Sequence, residues 1–156
     1  MERKTKIHAE DGKQEIVITR EFDLPLELLF QAYIDPEIVE QWMGTKVLKL
    51  ENKKHGSWQF ETTDAKGNKY GFNGVIHEFS PNQKITRTFE MENTPFGVQL
   101  EFYEFEQLTD ATSKLNMHVI LINLNIWIKY GIIFLMLIQK KILVSLERNI
   151  IYLITK

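Results

Sequence analysis

Ile16, Ile18 and Phe22 share one parity, with Arg20 among them, and this period-two pattern predicts a half-buried first strand. Leu28, Leu29, Ala32 and Tyr33 then recur at helical spacing. Pro25 suits the opening of that helix because its fixed φ is already helical. The helix stops at Asp35-Pro36, since the proline disfavours the α conformation before it. Pro36 opens a second short helix, with Ile38, Val39 and Trp42 on one face and Gly44 as its stop.

From Thr45 to about Leu121 the pattern is strand, turn, strand. Val47 to Leu50 leads to a turn at Asn52 to Gly56, after which Trp58, Phe60 and Thr62 alternate. Asp64 to Asn68 is the next turn, with Gly67 where positive φ is wanted. Tyr70, Phe72, Gly74 and Ile76 run to a break at Pro81-Asn82, and Ile85, Arg87, Phe89 and Met91 follow. Beyond a turn at Thr94 to Gly97, the apolar row is read as Val98, Leu100 and Phe102, with a change of parity at Tyr103 and Phe105 that a bulge would explain. Leu115, Met117 and Val119 close the series. Short turns between consecutive strands predict an antiparallel meander.

The tail differs in kind. From Ile120 onward about two thirds of the residues are Ile, Leu, Lys or Asn, and Glu147 is the single acidic one. Ile120 to Ile138 has the length of a membrane span, but Asn123, Asn125 and Lys129 spoil its purity. Leu143, Leu146, Ile150 and Leu153 are spaced for a helix. A long, buried C-terminal helix is the preferred reading and a membrane anchor the lesser one. Residues 1 to 156 are read as a single domain.

Composition narrows the function. A net charge of −2 gives no basic field for nucleic acid or anionic lipid. The absence of cysteine removes disulfides, thiolate zinc sites and a cysteine nucleophile. The charged N-terminus has no apolar signal region, so a cytoplasmic location is expected. No glycine-rich phosphate loop occurs, because Gly71 and Gly74 fall within a strand.

Candidate chemistry is sparse. His8, His55, His77 and His118 are scattered without metal-ligand spacing, so neither a metal nor another cofactor is expected. Glu61, Glu78, Glu101 and Glu104 would need a dry setting to act as acid or base, and a solvated strand face explains them more simply. Arg87 is more informative: it shares parity with Ile85, Phe89 and Met91, and an unpaired cation facing inward is costly. It must pair with a glutamate, lie exposed at a strand end or meet an anionic head group. Trp42, Trp58, Phe60, Tyr70, Phe72, Phe89 and Phe102, with Arg87 and Met117, are the residues expected to line an apolar cavity. No catalytic residue can be named.

Several segments in order resemble a known family: Arg20 to Pro25, Phe30 to Glu37, Gln41-Trp42-Met43-Gly44, Gly56-Ser57-Trp58, Asp64 to Gly67, Phe72 to Glu78 and Ser80-Pro81. Over residues 14 to 121 they are similar to proteins like the activator of the heat-shock protein 90 ATPase, within the START and polyketide-cyclase-like superfamily. The resemblance implies an α+β helix-grip fold. In it a curved antiparallel sheet wraps a long C-terminal helix, and two short helices after the first strand close one end. Met43 stands where the family pattern has a second aromatic, and the tail from 122 lacks the family's acidic helix apart from a fragment at Ser145 to Arg148. Its composition suggests that part of the tail is a diverged or out-of-frame reading. On a sheet curved round a helix the aromatics make an apolar pocket, and the favoured reading is a non-catalytic module for a small hydrophobic or amphipathic ligand. A co-chaperone for a heat-shock protein 90 type ATPase, reached through the basic Lys46, Lys49, Lys53 and Lys54, and a cyclase or aromatase-type enzyme are the alternatives. Homodimerisation through an apolar tail surface is left open.

Overall fold

The computed structural model describes residues 5–10 and 12–122, in which the alternating segments become eight strands and the proline-opened segments two helices. The order is β1 (Lys6–His8), β2 (Glu15–Phe22), α1 (Leu26–Ile34), α2 (Pro36–Met43), β3 (Lys46–Leu50), β4 (Ser57–Thr63), β5 (Lys69–Ser80), β6 (Lys84–Met91), β7 (Val98–Thr109) and β8 (Thr112–Leu121). All eight strands form one antiparallel sheet in the order β1-β2-β8-β7-β6-β5-β4-β3. The meander runs unbroken from β3 to β8, and β2 closes onto β8. No alternation forecasts β1, whose three residues include a single apolar one, Ile7; pairing with β2 makes it a strand. The C-terminal helix expected from the sequence lies outside the described residues.

The helix pair forms for the reasons its prolines suggest. Pro25 sits immediately before α1 in extended geometry, and Leu29, Phe30, Ala32 and Tyr33 make that helix's buried stripe. Asp35, extended as a residue before proline should be, accepts hydrogen bonds from the amides of Glu37 and Ile38 at 3.0 and 3.2 Å. Gly44 ends α2 at φ 63°, a left-handed geometry that glycine adopts without a Cβ penalty. The Trp42 indole N–H donates to the Ala32 carbonyl at 2.6 Å, so α2 is fastened to α1 by a buried bond.

The helices cover one face of the sheet. Against it pack Ile16, Ile18 and Phe22 of β2, Tyr103 and Phe105 of β7, and Leu115, Met117, Val119 and Leu121 of β8. Phe30 meets Phe105 edge-on at 5.0 Å, and Tyr33 lies 5.5 Å from both Tyr103 and Phe105. A second cluster joins Val39 of α2 to Trp58, Phe60 and Ile76 under β4 and β5. Each fully buried large side chain contributes about 1.5–3 kcal/mol relative to exposure.

One expectation about β7 is overturned. The sequence reading put Val98, Leu100 and Phe102 inward and a bulge near Tyr103. The register instead runs continuously from Glu90↔Val98 to Lys84↔Glu104, and the inward row is Gln99, Glu101, Tyr103 and Phe105. The shift in pairing falls later, between Gln107 and Thr109. The reason lies on the neighbouring strand. Arg87 faces Glu101 across β6 and β7, so this parity gives the buried cation a counter-ion while seating Tyr103 and Phe105 against α1. The opposite parity would bury three apolar side chains but expose two aromatics and strand Arg87.

Candidate functional site

At the centre of the helix-bearing face, strands β6 and β7 set a polar group among aromatics. Arg87 Nε donates to Glu101 Oε2 at 2.9 Å, and one Arg87 Nη2 hydrogen goes to the Tyr103 hydroxyl at 2.9 Å. That hydroxyl donates in turn to Glu101 Oε2 at 2.7 Å. Gln99, two residues along β7 on the same face, donates from Nε2 to Glu101 Oε1 at 2.9 Å. Both carboxylate oxygens are thus occupied. Glu101 and Gln99 are each 1% exposed, and Arg87 is buried with them.

Aromatic planes fix the cation on two sides. The Arg87 guanidinium carbon lies 4.3 Å from the Trp58 ring centre and 4.9 Å from that of Tyr103. Trp58 can lie flat there because Gly74, its register partner on β5, has no side chain. A Cβ at Gly74 would run into the Thr88 carbonyl and stand 2.7 Å from Trp58 Nε1. The same indole N–H donates to that Thr88 carbonyl at 3.2 Å. Trp58 continues an aromatic row through Phe60 at 4.9 Å and Phe89 at 5.8 Å, and Phe89 reaches Phe72 at 5.5 Å.

Arg87 keeps its charge at neutral pH. Burial alone would lower the Arg87 pKa, but the neighbouring Tyr103 and Glu101 outweigh it and hold the guanidinium above its usual value. Burial raises the Tyr103 phenol well above its ordinary range, with Arg87 opposing, and burial likewise raises Tyr33. Both phenols therefore serve as neutral hydroxyls. The arrangement can orient a polar group within an apolar wall.

The residues singled out from the sequence are partly brought together. Trp58, Phe60, Phe72, Phe89 and Arg87 form one contiguous wall. Trp42 stands behind it, 5.4 Å from Tyr33, and Met117 is buried in the neighbouring core. Tyr70 shares the parity but sits at the exposed strand end, where its hydroxyl donates to Asp64 Oδ2 at 3.1 Å across the hairpin turn. Phe102 points to the opposite face and stacks on His118 at 5.7 Å, with His118 in turn 2.7 Å from Glu15. Glu101 is corrected from a solvated strand face to the buried counter-ion of Arg87, and Gln99, Tyr103 and Tyr33 complete a cluster that alternation alone did not reveal. An inward arginine was the signal that could have found Glu101, since a direct cross-strand carboxylate is its simplest partner.

Two open grooves lie on the other face of the sheet. One, of about 480 Å³, is bordered by Lys49, Gln59, Asn73, Thr88 and Glu90 and also touches Trp58 and Gly74; the other, of about 360 Å³, is bordered by Val17, Phe102, Asn116, His118 and Ile120 and also touches Met117. Neither is lined by Arg87, Gln99 or Glu101. Among the described residues no group of three or more histidines or carboxylates could hold a metal ion, and no helix is long and apolar enough to cross a membrane.

The sequence matches the family described as Activator of Hsp90 ATPase homolog 1-like protein over residues 23–120. Protein Ms6760 from Mycobacterium smegmatis has a similar structure, with TM-score 0.82 and 17% identity, covering 92% of this chain and 94% of that one. A protein from Rhodobacter sphaeroides reaches TM-score 0.82 at 15% identity, with 96% and 99% covered. PFC0360w, an HSP90 activator from Plasmodium falciparum, superposes with TM-score 0.58 and 20% identity over 70% of this chain and 74% of its own. Among curated proteins none matches.

Proposed function

The chain belongs to the Activator of Hsp90 ATPase homolog 1-like family, and from that premise we propose that it is a non-catalytic binding domain for a small hydrophobic or amphipathic molecule. The ligand lies on the helix-bearing face, along the aromatic row from Trp58 to Phe72, with its polar end toward Arg87 and Gln99. The supporting observation is the Arg87–Glu101 pair itself. A buried ion pair is a poor source of stability, because well-packed apolar side chains in its place often cost nothing. Its presence amid aromatics fits the usual composition of a small-molecule site, mostly apolar with a few oriented polar groups. Extraction of freshly purified protein with organic solvent, followed by mass spectrometry, tests the reading. A stoichiometric apolar compound supports it, and an empty extract together with no uptake of added amphiphiles refutes it.

A second reading is favoured by the family and by the fold shared with the Plasmodium falciparum HSP90 activator. In it the domain docks on a heat-shock protein 90 type chaperone and stimulates its ATPase. The basic residues Lys46, Lys49, Lys53 and Lys54 would face an acidic partner, although Lys49 is already 3.3 Å from Glu51. Addition of the protein to such a chaperone should raise its ATPase rate; an unchanged rate removes this reading.

A further inference from the structure

Gln99 leaves one hydrogen-bonding atom unspent. Its Nε2 donates to Glu101 Oε1 at 2.9 Å, while its Oε1 is fully buried and has no partner. Turning the amide over would set its oxygen against a carboxylate oxygen, so Glu101 fixes which end is left unpartnered. A buried acceptor left without a donor is costly. Among the described residues no donor of the cluster reaches it. The Tyr103 hydroxyl hydrogen is committed to Glu101, and the Arg87 Nε hydrogen likewise.

The charge around this atom is already balanced. Glu101 neutralises Arg87 at 2.9 Å, so an anionic head group would meet no free cation and would have a carboxylate close by. A neutral group with a hydrogen to give meets the opposite situation: one open acceptor on Gln99, and guanidinium N–H groups of Arg87 beyond those bonded to Glu101 and Tyr103. A hydroxyl fits both needs, donating to Gln99 and accepting from Arg87. Phe89, the direct register partner of Gln99, is half-buried with Phe72, where Trp58 and Phe60 are buried.

We propose that Gln99 Oε1 is the acceptor that recognises the hydroxyl of a neutral amphiphile, an alcohol or phenol with an apolar body, and that carboxylates of the same length are discriminated against. This inference rests on the binding reading above and names its ligand class. Specificity then comes from an acceptor held in place by Glu101, with the aromatic row binding the apolar body whatever the head group.

The test uses the full chain and a neutral fluorescent reporter, N-phenyl-1-naphthylamine, displaced by dodecan-1-ol, its methyl ether 1-methoxydodecane, or dodecanoate. Dodecan-1-ol is expected to displace the reporter at a concentration at least about tenfold lower than either of the others, a factor that corresponds to about 1.4 kcal/mol. Gln99→Met, close in shape but without the acceptor, is expected to bring the alcohol-to-ether ratio near one. Equal displacement by alcohol and ether in the native protein, or preference for dodecanoate, overturns the head-group proposal and leaves the binding reading standing. A native protein that takes up neither reporter nor amphiphile overturns both. Should Gln99→Met fail to fold, the alcohol-to-ether ratio of the native protein decides alone.

Discussion

Arg87 and Glu101 are direct register partners on β6 and β7, and their side chains meet at 2.9 Å on the sheet's buried face. Removing either partner leaves the other as an uncompensated buried charge. Glu101→Ala is therefore expected to destabilise the protein by about 3–5 kcal/mol, measured by urea unfolding. The double variant Arg87→Met with Glu101→Leu should recover most of that loss while abolishing selectivity for a hydroxyl head group. A double variant as unstable as the single one would show that the pair stabilises the fold itself.

Gly74 carries a requirement of space. Its missing Cβ lets the Trp58 indole lie across β5 and reach the Thr88 carbonyl. Gly74→Ala should cost about 1–3 kcal/mol by overpacking, and should shift or broaden the Trp58 indole N–H resonance. Wild-type stability with an unmoved resonance would mean that the strand yields cheaply.

Acid should loosen the β3–β4 turn. Glu51 accepts the Ser57 backbone N–H at 2.9 Å and the Ser57 hydroxyl at 3.0 Å, with Lys49 at 3.3 Å. These bonds, the backbone one foremost, lower its pKa from 4.5 to about 2. Because the folded value lies below the unfolded one, the contribution is complete above 4.5 and fades as pH falls through about 2. In Glu51→Gln the decline of stability across that window should be shallower than in wild type. Identical slopes, or carboxyl titration at 4.5 by carbon-detected NMR, would contradict the assignment.

Local signals made most of the architecture readable. Asp35-Pro36 and Gly44 delimit α2 where their backbone preferences require, and Gly67 and Gly97 take positive φ in the turns expected of them. β7 was misread because parity was assigned by hydrophobicity strand by strand. Val98, Leu100 and Phe102 look like a core row until Arg87 on the adjacent strand is considered. A buried charge pair inverts the usual pattern, putting Gln99 and Glu101 inside and Phe102 outside. Tyr70 illustrates a different limit: alternation gives its face but not its distance from the sheet's end, where the bond to Asp64 draws it into solvent.

The most direct test of the binding site is a two-dimensional NMR titration of the full chain with dodecan-1-ol. Shift changes are expected to concentrate at the Trp58 indole N–H and at Arg87, Phe89, Gln99 and Glu101, with Val17, Phe102 and His118 on the opposite face unmoved. Changes confined to that opposite face, or none at saturating alcohol, would contradict this placement.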